Sequence, residues 1–263
     1  MQKYDPTTRT LKIDVSDGKA NYSQRNNQYT HKANSLDVND VTASTMCNVT
    51  SLCQSGDYNG YIFPKGKYSQ PEDNFADFIM NSKEVDDYYR IHCPALYNDY
   101  VIGKHSTKNG KTVIEYYTPN EVHCVLAYAF NQWLGFTADT FKENAPIMDI
   151  VNELIEGRSC VISGVFNGLH HIVSLVGCEW KFNNAPEDNE YRLIENIKKN
   201  KILPTKFIID DPYGKWNAPN GYKSGLSGNN AELTRDQFFE MIKPVNNKSI
   251  KYCHLLKQGA VTI

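Results

Sequence analysis

The sequence predicts a fold of the α+β class, in which helical segments come first and a β-sheet follows. Two observations favour this class. Segments with apolar side chains at helical spacing fall mainly before Gly157, and short β-branched runs bounded by Gly, Asn and Asp follow it. A chain of 263 residues can form one large domain or two small ones, and no internal repeat or low-complexity linker divides it.

The elements expected before Gly157 are mostly helices. Pro71 and the Thr-Pro-Asn-Glu box at Thr118 mark two helix starts, and Gly56 is expected to end the first helix. Alternating apolar residues near the N-terminus predict an edge strand. The expected elements are a strand at 11–15, helices at 48–54, 72–90, 122–133 and 146–156, and a hairpin turning at Asn109-Gly110.

The elements expected after Gly157 form the sheet. The strand at 171–177 is apolar on both faces, which predicts a central position. Further strands are expected at 160–166, 206–210 and 252–256. The remaining features are a charged surface insertion at 181–205, a loop at 213–231, and a helix opened by a capping box of Thr234 and Gln237.

Composition limits the kinds of partner. There are 28 basic and 30 acidic residues, so net charge does not favour binding to nucleic acid. The seven cysteines lack CxxC spacing, which argues against a disulfide framework or a zinc knuckle. Adjacent His and Cys residues on one element diverge, so we expect neither a bound metal nor a cofactor. The adjacent pairs are His92-Cys93, His123-Cys124 and Cys253-His254.

The location of the protein is inferred from its apolar segments. The first residues, MQKYDPTTRT, contain no apolar core, and no stretch approaches the roughly 20 apolar residues of a membrane span. We therefore expect synthesis in the cytoplasm without a signal peptide, and no membrane insertion. The oligomeric state is left open.

Four residues supply the parts of a cysteine-nucleophile site: Cys47, His171, Asp211 and Gln24. Cys47 lies where a polar stretch gives way to a short helix, and a helix N-terminus favours the thiolate form. His171 begins an apolar strand, and Asp211 ends another just before a proline. A thiol, a base, a carboxylate that orients the base, and an amide donor suffice for acyl transfer through a thioester.

The residues alone leave alternatives open at each position. His170 could be the base with His171 as a packed neighbour, and Asp210 could replace Asp211. Asp-Pro-Tyr-Gly can equally be a simple turn, and a glutamine in a polar loop ordinarily faces solvent. The other nearby thiol, that of Cys53, falls on the apolar face of the helix and is assigned to the core.

Aromatic residues after Asp211 are candidates for binding a substrate. The segment 213–230 is rich in Tyr, Trp, Asn and Gly and follows the carboxylate directly, so it could line a cleft. The alternative is ordinary packing within a loop. The candidates are Tyr213, Trp216 and Tyr222.

Taken together and in order, these motifs resemble the C39-like branch of papain-like cysteine peptidases. The resemblance is strongest at 21–56 and 157–214, and 57–145 matches little of it. Chains with CNVTSL and DPYG are similar to bacterial and bacteriophage proteins that include cell-wall lysins, or endolysins. The residues that carry the resemblance are YSQRNN at 22–27, CNVTSL at 47–52, HHIVSLVG at 170–177 and IIDDPYG at 208–214.

The resemblance implies a single papain-like domain over residues 1–263, with N-terminal helices packed on a C-terminal antiparallel sheet and 57–145 as a helical insert or subdomain. It implies Cys47 as the nucleophile, His171 as the base, Asp211 as its orienting carboxylate and Gln24 in the oxyanion hole. His171 is favoured because it directly precedes Ile-Val, and Asp211 because it directly precedes proline. Asn48 departs from the family, which often has glycine after the cysteine.

The leading hypothesis is a cysteine hydrolase that cleaves a peptide or amide bond, with bacterial peptidoglycan peptides as the favoured substrate. The missing signal peptide fits a phage lysin released to the cell wall through a membrane pore, and it fits a cytosolic hydrolase equally. Two alternatives remain. One is a cysteine-dependent acyltransferase with an amine as acceptor, and the other is a non-catalytic binding module on the same fold.

Overall fold

The structure is a computed structural model that describes most of the chain. For 104–108, 111–115 and 169–170 it describes the backbone alone. The described residues are 2–16, 19–29, 46–94, 104–108, 111–115, 123–166, 169–183, 190–215, 227–242 and 249–259.

An antiparallel sheet forms the centre of the fold. In chain order the strands are β1 (Gln2–Asp5), β2 (Thr10–Asp14), β3 (Lys104–Lys108), β4 (Lys111–Glu115), β5 (Asp139–Pro146), β6 (Cys160–Phe166), β7 (Leu169–Lys181), β8 (Lys206–Asp211), β9 (Gly228–Thr234) and β10 (Ser249–Leu256). Eight of them join in the order β1-β2-β7-β6-β10-β5, with β8 pairing with β7 and β9. β3 and β4 form a separate hairpin.

The long strand β7 lies at the middle of this sheet. Its residues Cys178 and Glu179 pair with both β2 and β8, which therefore lie on opposite edges of β7. Ser174 likewise pairs with β6 and β8. The prediction that this apolar strand is central is confirmed.

Helices cover both faces of the sheet. They are α1 (Cys47–Tyr58), α2 (Pro71–Asn81), α3 (Lys83–His92), α4 (His123–Leu134), α5 (Ile147–Ile155), α6 (Glu190–Asn200) and α7 (Arg235–Ile242). Val161 of β6 packs in one buried cluster with α1, α2, α3 and α4. Its neighbours Cys160 and Ile162 point to the opposite face, where they pack with α5, α6 and α7.

Two side-chain hydrogen bonds fix α1 against β7. Ser51 Oγ donates to the carbonyl oxygen of Ile172 at 3.1 Å, and Ser174 Oγ donates to that of Ser51 at 3.1 Å. Ser51 lies one turn after Cys47, and Ile172 directly follows His171. These bonds therefore bring the first residue of α1 to the start of β7.

The α+β class and the antiparallel sheet are confirmed, and most predicted elements are present. The sheet also takes in two N-terminal strands. β2 was predicted to be an edge strand, which is wrong because it pairs with both β1 and β7. The capping box before α7 is confirmed: Gln237 N donates to Thr234 Oγ1 at 3.3 Å, and Thr234 N donates to Gln237 Oε1 at 2.9 Å.

Several elements differ from their predicted limits, among them β9, whose first residues fall in the predicted loop 213–231. The helix predicted at 72–90 is two helices, because Ser82 has an extended backbone and its hydroxyl caps α3 by accepting from Val85 N. α1 continues past Gly56 to Tyr58. A Cβ at Gly56 would lie 2.7 Å from the ring of Tyr61, so the glycine makes room for that ring within the helix. The insertion 181–205 contains α6.

Two further predictions concern residues that the structure does not describe. The pairing of Lys108 with Lys111 fits a two-residue hairpin, although Asn109 and Gly110 lie outside the described residues. The box at Thr118 also lies outside them. Segment 57–145 contributes α2 and α4 to the cluster around α1, and β5 to the main sheet. Its assignment as an insert or subdomain stays a prediction.

Candidate active site

Cys47 is the first residue of α1 and is partly exposed. At this position the unpaired N–H groups and the dipole of the helix favour a negative charge on sulfur. Cys53, two turns further on, is completely buried, and burial raises its pKa well above the usual value. The assignment of Cys53 to the core is therefore confirmed, and Cys47 is the thiol of α1 that solvent reaches.

His171 and Asp211 form a buried pair. Nε2 of His171 lies 2.7 Å from Oδ1 of Asp211, and the side chains are 8% and 0% exposed. The same carboxylate oxygen accepts a hydrogen bond from the backbone N–H of Tyr213 at 2.8 Å. The turn after β8 thus holds the carboxylate in place, and the carboxylate holds the imidazole ring.

The thiol of Cys47 is the second partner of the His171 ring. Burial lowers the pKa of His171, but hydrogen bonds to Asp211 and Cys47, together with their negative charges, outweigh burial and raise it to about 10. Because Nε2 is bonded to Asp211, Nδ1 is the ring nitrogen left for the thiol. The structure therefore brings the predicted thiol, imidazole and carboxylate into one hydrogen-bonded row.

The structure distinguishes the two neighbouring aspartates. Asp210 points away from the histidine, because successive residues of a strand face opposite sides. Its carboxylate accepts from the hydroxyl of Tyr58 at 2.8 Å and from Asn230 N at 2.6 Å. Burial raises the pKa of Asp210 to about 6. The side chain of His170 lies outside the described residues, so His171 is the member of the doublet whose contacts are known.

Gln24 is completely buried and begins a short 3-10 helix, Gln24–Asn26. Its backbone N–H donates to the carbonyl oxygen of Pro212 at 3.0 Å, directly after Asp211. Three residues later, Asn27 Nδ2 donates to Thr50 Oγ1 at 3.0 Å in the first turn of α1. The segment that carries Gln24 is thus attached to both sides of the site.

A carboxylate of α2 anchors the next residues of the same segment. Oδ1 of Asp73 accepts from the backbone N–H groups of Gln28 at 3.0 Å and Tyr29 at 2.9 Å. Both N–H groups belong to the segment 19–29, and Asp73 is completely buried. The glutamine predicted from a polar loop is therefore held in a defined position, which sequence reasoning did not anticipate.

Tyr213 is the one predicted substrate-binding residue that the structure describes. Its ring meets that of His171 edge-on, with 6.0 Å between centroids. The guanidinium of Arg25 lies 3.7 Å from the centroid of the Tyr213 ring, and its Nε donates to the Tyr213 carbonyl oxygen at 2.6 Å. Trp216 and Tyr222 lie outside the described residues.

A second histidine cluster was missed by sequence reasoning. His123 Nδ1 lies 2.9 Å from His254 Nε2, and His254 Nδ1 lies 2.6 Å from Asp139 Oδ2. Burial lowers the pKa of His123 to about 3, and the neighbouring His254 acts in the same direction. The three residues come from α4, β10 and β5, so no spacing in the sequence signals the cluster.

Metal and membrane features can be assessed over the described part of the chain. Within it, no group of three or more His, Cys, Asp or Glu side chains could hold a metal ion. Among the same residues, every helix is too short or too polar to cross a bilayer.

Comparisons with known proteins give one similarity. No family model matches the chain, and no curated protein gives a significant match. A matching solved structure is that of a protein from Bacillus anthracis, named provisionally as a C39-like peptidase. The two are 13% identical over 94% of this chain and 98% of that chain, with a TM-score of 0.46. A similarity of this degree says nothing about activity.

Proposed function

We propose that the protein is a cysteine hydrolase that cleaves a peptide or amide bond through a thioester intermediate. The observation that carries the proposal is the hydrogen-bonded row in which His171 lies between the Cys47 thiol and the buried Asp211 carboxylate. A nucleophile, its base and a third group that orients the base are the required arrangement for covalent acyl transfer.

Each group has its own step in the proposed mechanism. The Cys47 sulfur attacks the substrate carbonyl, and the His171 imidazolium gives its proton to the departing amine. The ring, now neutral, removes a proton from water, which hydrolyses the thioester. Asp211 holds the ring in one orientation and stabilises its charged form.

The oxyanion that forms in both steps needs hydrogen-bond donors. The backbone N–H of Cys47 is suitable because a helix N-terminus leaves it without an intrahelical partner. The side-chain amide of Gln24 is the second candidate, supported by the bonds that tie its segment to Pro212 and to Thr50. Loss of one such donor typically costs about 3–4 kcal/mol of transition-state stabilisation.

Bacterial peptidoglycan peptides are the substrate class that we propose. Support comes from the aromatic ring of Tyr213, which meets that of His171 edge-on, and from the resemblance of the motifs to cell-wall lysins. Under this proposal the protein acts at the bacterial cell wall.

Hydrolysis assays on purified sacculi and on casein test the proposal. Cys47→Ala and Cys47→Ser should each lose nearly all activity of the wild-type protein. Cys93→Ser is the matched control, because this thiol is also partly exposed but lies at the end of α3. Full activity of Cys47→Ala would exclude the thiol mechanism, and mass spectrometry with added amines separates water from an amine as acceptor.

A further inference from the structure

We propose that Arg25 forms a binding subsite for a carboxylate group of the substrate, beside His171. The inference rests on the proposed function and narrows its substrate class to peptides that carry a carboxylate close to the scissile bond. It concerns a residue that has no part in the chemical steps.

The guanidinium of Arg25 is held in a fixed orientation next to the site. One face stacks on the Tyr213 ring at 3.7 Å from its centroid, and Nε donates to the Tyr213 carbonyl oxygen at 2.6 Å. The same ring contacts His171. The Tyr213 ring therefore lies between the positive charge of Arg25 and the imidazole of His171. Arg25 also directly follows Gln24 in the chain.

The terminal nitrogens of Arg25 are available to a ligand. The side chain is exposed, and among the described residues it makes no ion pair with a carboxylate. Two other arginines differ: Arg158 bonds to Glu153 at 2.5 Å, and Arg90 to Asp87 at 2.8 Å. A stacked guanidinium with only Nε engaged presents Nη1 and Nη2 in the planar arrangement that binds a carboxylate through two bonds.

Alkylation of Cys47 by two matched probes tests the subsite. The probes are N-bromoacetyl-glutamic acid α-amide and N-bromoacetyl-glutamine α-amide, which differ by one carboxylate. In each reaction the thiolate displaces bromide and forms a thioether, which intact mass reports. We expect the carboxylate probe to alkylate Cys47 about tenfold faster than the neutral probe, in keeping with one charged hydrogen-bonded contact.

Variants distinguish binding of the carboxylate by Arg25 from a general effect of positive charge near the site. Arg25→Gln should remove the preference between probes, and Arg25→Lys should retain only part of it because lysine lacks the planar pair of donors. Lys215→Gln is the matched control, since it removes a positive charge from the segment after β8 that also carries Tyr213, and it should leave the preference intact. A preference that survives Arg25→Gln, or its absence in the wild type, overturns the subsite.

The same experiment distinguishes failure of the subsite from failure of the proposed function. Rapid alkylation by both probes, without a preference for the carboxylate probe, would support the reactive thiol of Cys47 and exclude the proposed role of Arg25. Alkylation of Cys47 by both probes no faster than that of glutathione overturns both.

A separate observation carries a second inference: we infer that Cys93 and Cys124 form a reversible disulfide. Their sulfur atoms lie 3.5 Å apart, and both residues are partly exposed. A disulfide has a sulfur–sulfur distance of about 2.05 Å, so the two atoms need to approach by only about 1.5 Å. This inference does not depend on the proposed function.

A second pair of neighbouring thiols shows why exposure matters. Cys160 and Cys253 on β6 and β10 also have hydrogen-bonded side chains. Both are completely buried, so a soluble oxidant cannot reach them. The pair on α3 and α4 combines proximity with access.

The oxidant that we propose is a small-molecule disulfide such as glutathione disulfide. The thiolate of one cysteine displaces one glutathione and forms a mixed disulfide, and the second cysteine then displaces the other glutathione. Two protein thiols are oxidised and one disulfide is reduced to two thiols. Burial and the neighbouring Cys93 raise the pKa of Cys124 to about 11, so we expect the reaction to accelerate as pH rises.

Peptide mapping tests the disulfide in the Cys47→Ala protein, which removes the candidate catalytic thiol. After incubation with glutathione disulfide, we expect a Cys93–Cys124 linked peptide and an unfolding temperature higher by about 5 °C, because the bond closes a long loop. The Cys160–Cys253 pair should stay reduced. Mixed disulfides alone, or linkage of other cysteines in place of this pair, would overturn the inference.

Discussion

The His171 ring has two partners that both favour its charged form, and this arrangement governs its behaviour with pH. Asp211 is buried and Cys47 begins a helix, so the ring gains hydrogen bonds that an unfolded chain cannot supply. The pKa of His171 therefore rises from 6.5 to about 10 on folding.

The first prediction at this scale concerns stability against pH. A folded-state pKa above the unfolded value means that the protonated ring stabilises the fold fully below pH 6.5, and that this contribution is lost as pH rises through about 10. The difference in free energy of unfolding between wild type and His171→Gln should therefore shrink from pH 7 to pH 10. Urea unfolding at several pH values measures it, and a difference that grows with pH would contradict the assignment.

The second prediction separates the two aspartates. Asp211→Asn removes the negative charge that raises the pKa of His171, so the alkaline limb of the pH–activity profile should move to lower pH and kcat should fall at least about tenfold. Asp210→Asn is the control, because Asp210 bonds to Tyr58 and Asn230. Equal shifts of the profile in the two variants would refute the different roles.

The identities of these residues could be predicted from the sequence only in part. The order of the cysteine, histidine and aspartate was sufficient to nominate a site. The choice between Asp210 and Asp211 depends on which face of β8 each occupies, and that is set by packing against α1. The stacking of Arg25 on the ring of Tyr213, 188 positions away, could not be inferred from either local sequence.

At the level of elements, the segment 19–29 carries Gln24 although it has almost no regular structure. Its position comes from bonds to three other elements: to the turn after β8, to α1 and to α2. Such contacts join residues far apart in sequence, so local pattern could not reveal them. The break between α2 and α3, in contrast, has a local signal in the sequence. Ser82 is a residue type that commonly caps a helix, but the continuous apolar spacing over 72–90 favoured one helix instead of two.

The third prediction tests the anchor of this segment. Asp73→Ala leaves two backbone N–H groups without their carboxylate, which should cost about 1–3 kcal/mol of stability. It should also lower kcat more than it changes KM, because the donor on Gln24 is displaced and substrate contacts are not. Asp77→Ala on the same helix is the control for stability and kcat, and equal effects in the two variants would contradict the anchoring role.

At the level of the whole molecule, the sheet fixes the candidate groups His171 and Asp211 because β7 pairs with strands along both of its edges. At Gly177, β7 comes unusually close to β2: a Cβ there would lie 2.3 Å from the carbonyl oxygen of Ile13. The strand order could not be predicted from the sequence. The alternation of Leu11 and Ile13 signals a strand, but not that β2 inserts between β1 and β7.

The fourth prediction follows from this close approach. Gly177→Ala should push β2 away from β7 and destabilise the protein by about 1–3 kcal/mol, the usual cost of overpacking. Urea unfolding measures the loss. Unchanged stability would show that the two strands are not in such close contact.

The most direct test of the central claim is the rate at which iodoacetamide alkylates Cys47 at pH 6, read by intact mass against glutathione. We expect Cys47 in the wild type to react at least about tenfold faster than glutathione, because the helix N-terminus and the His171 imidazolium favour the thiolate. We expect His171→Ala to abolish most of this advantage. A wild-type rate no faster than that of glutathione, or one that His171→Ala leaves unaltered, would contradict the claim that the thiol and imidazole act together.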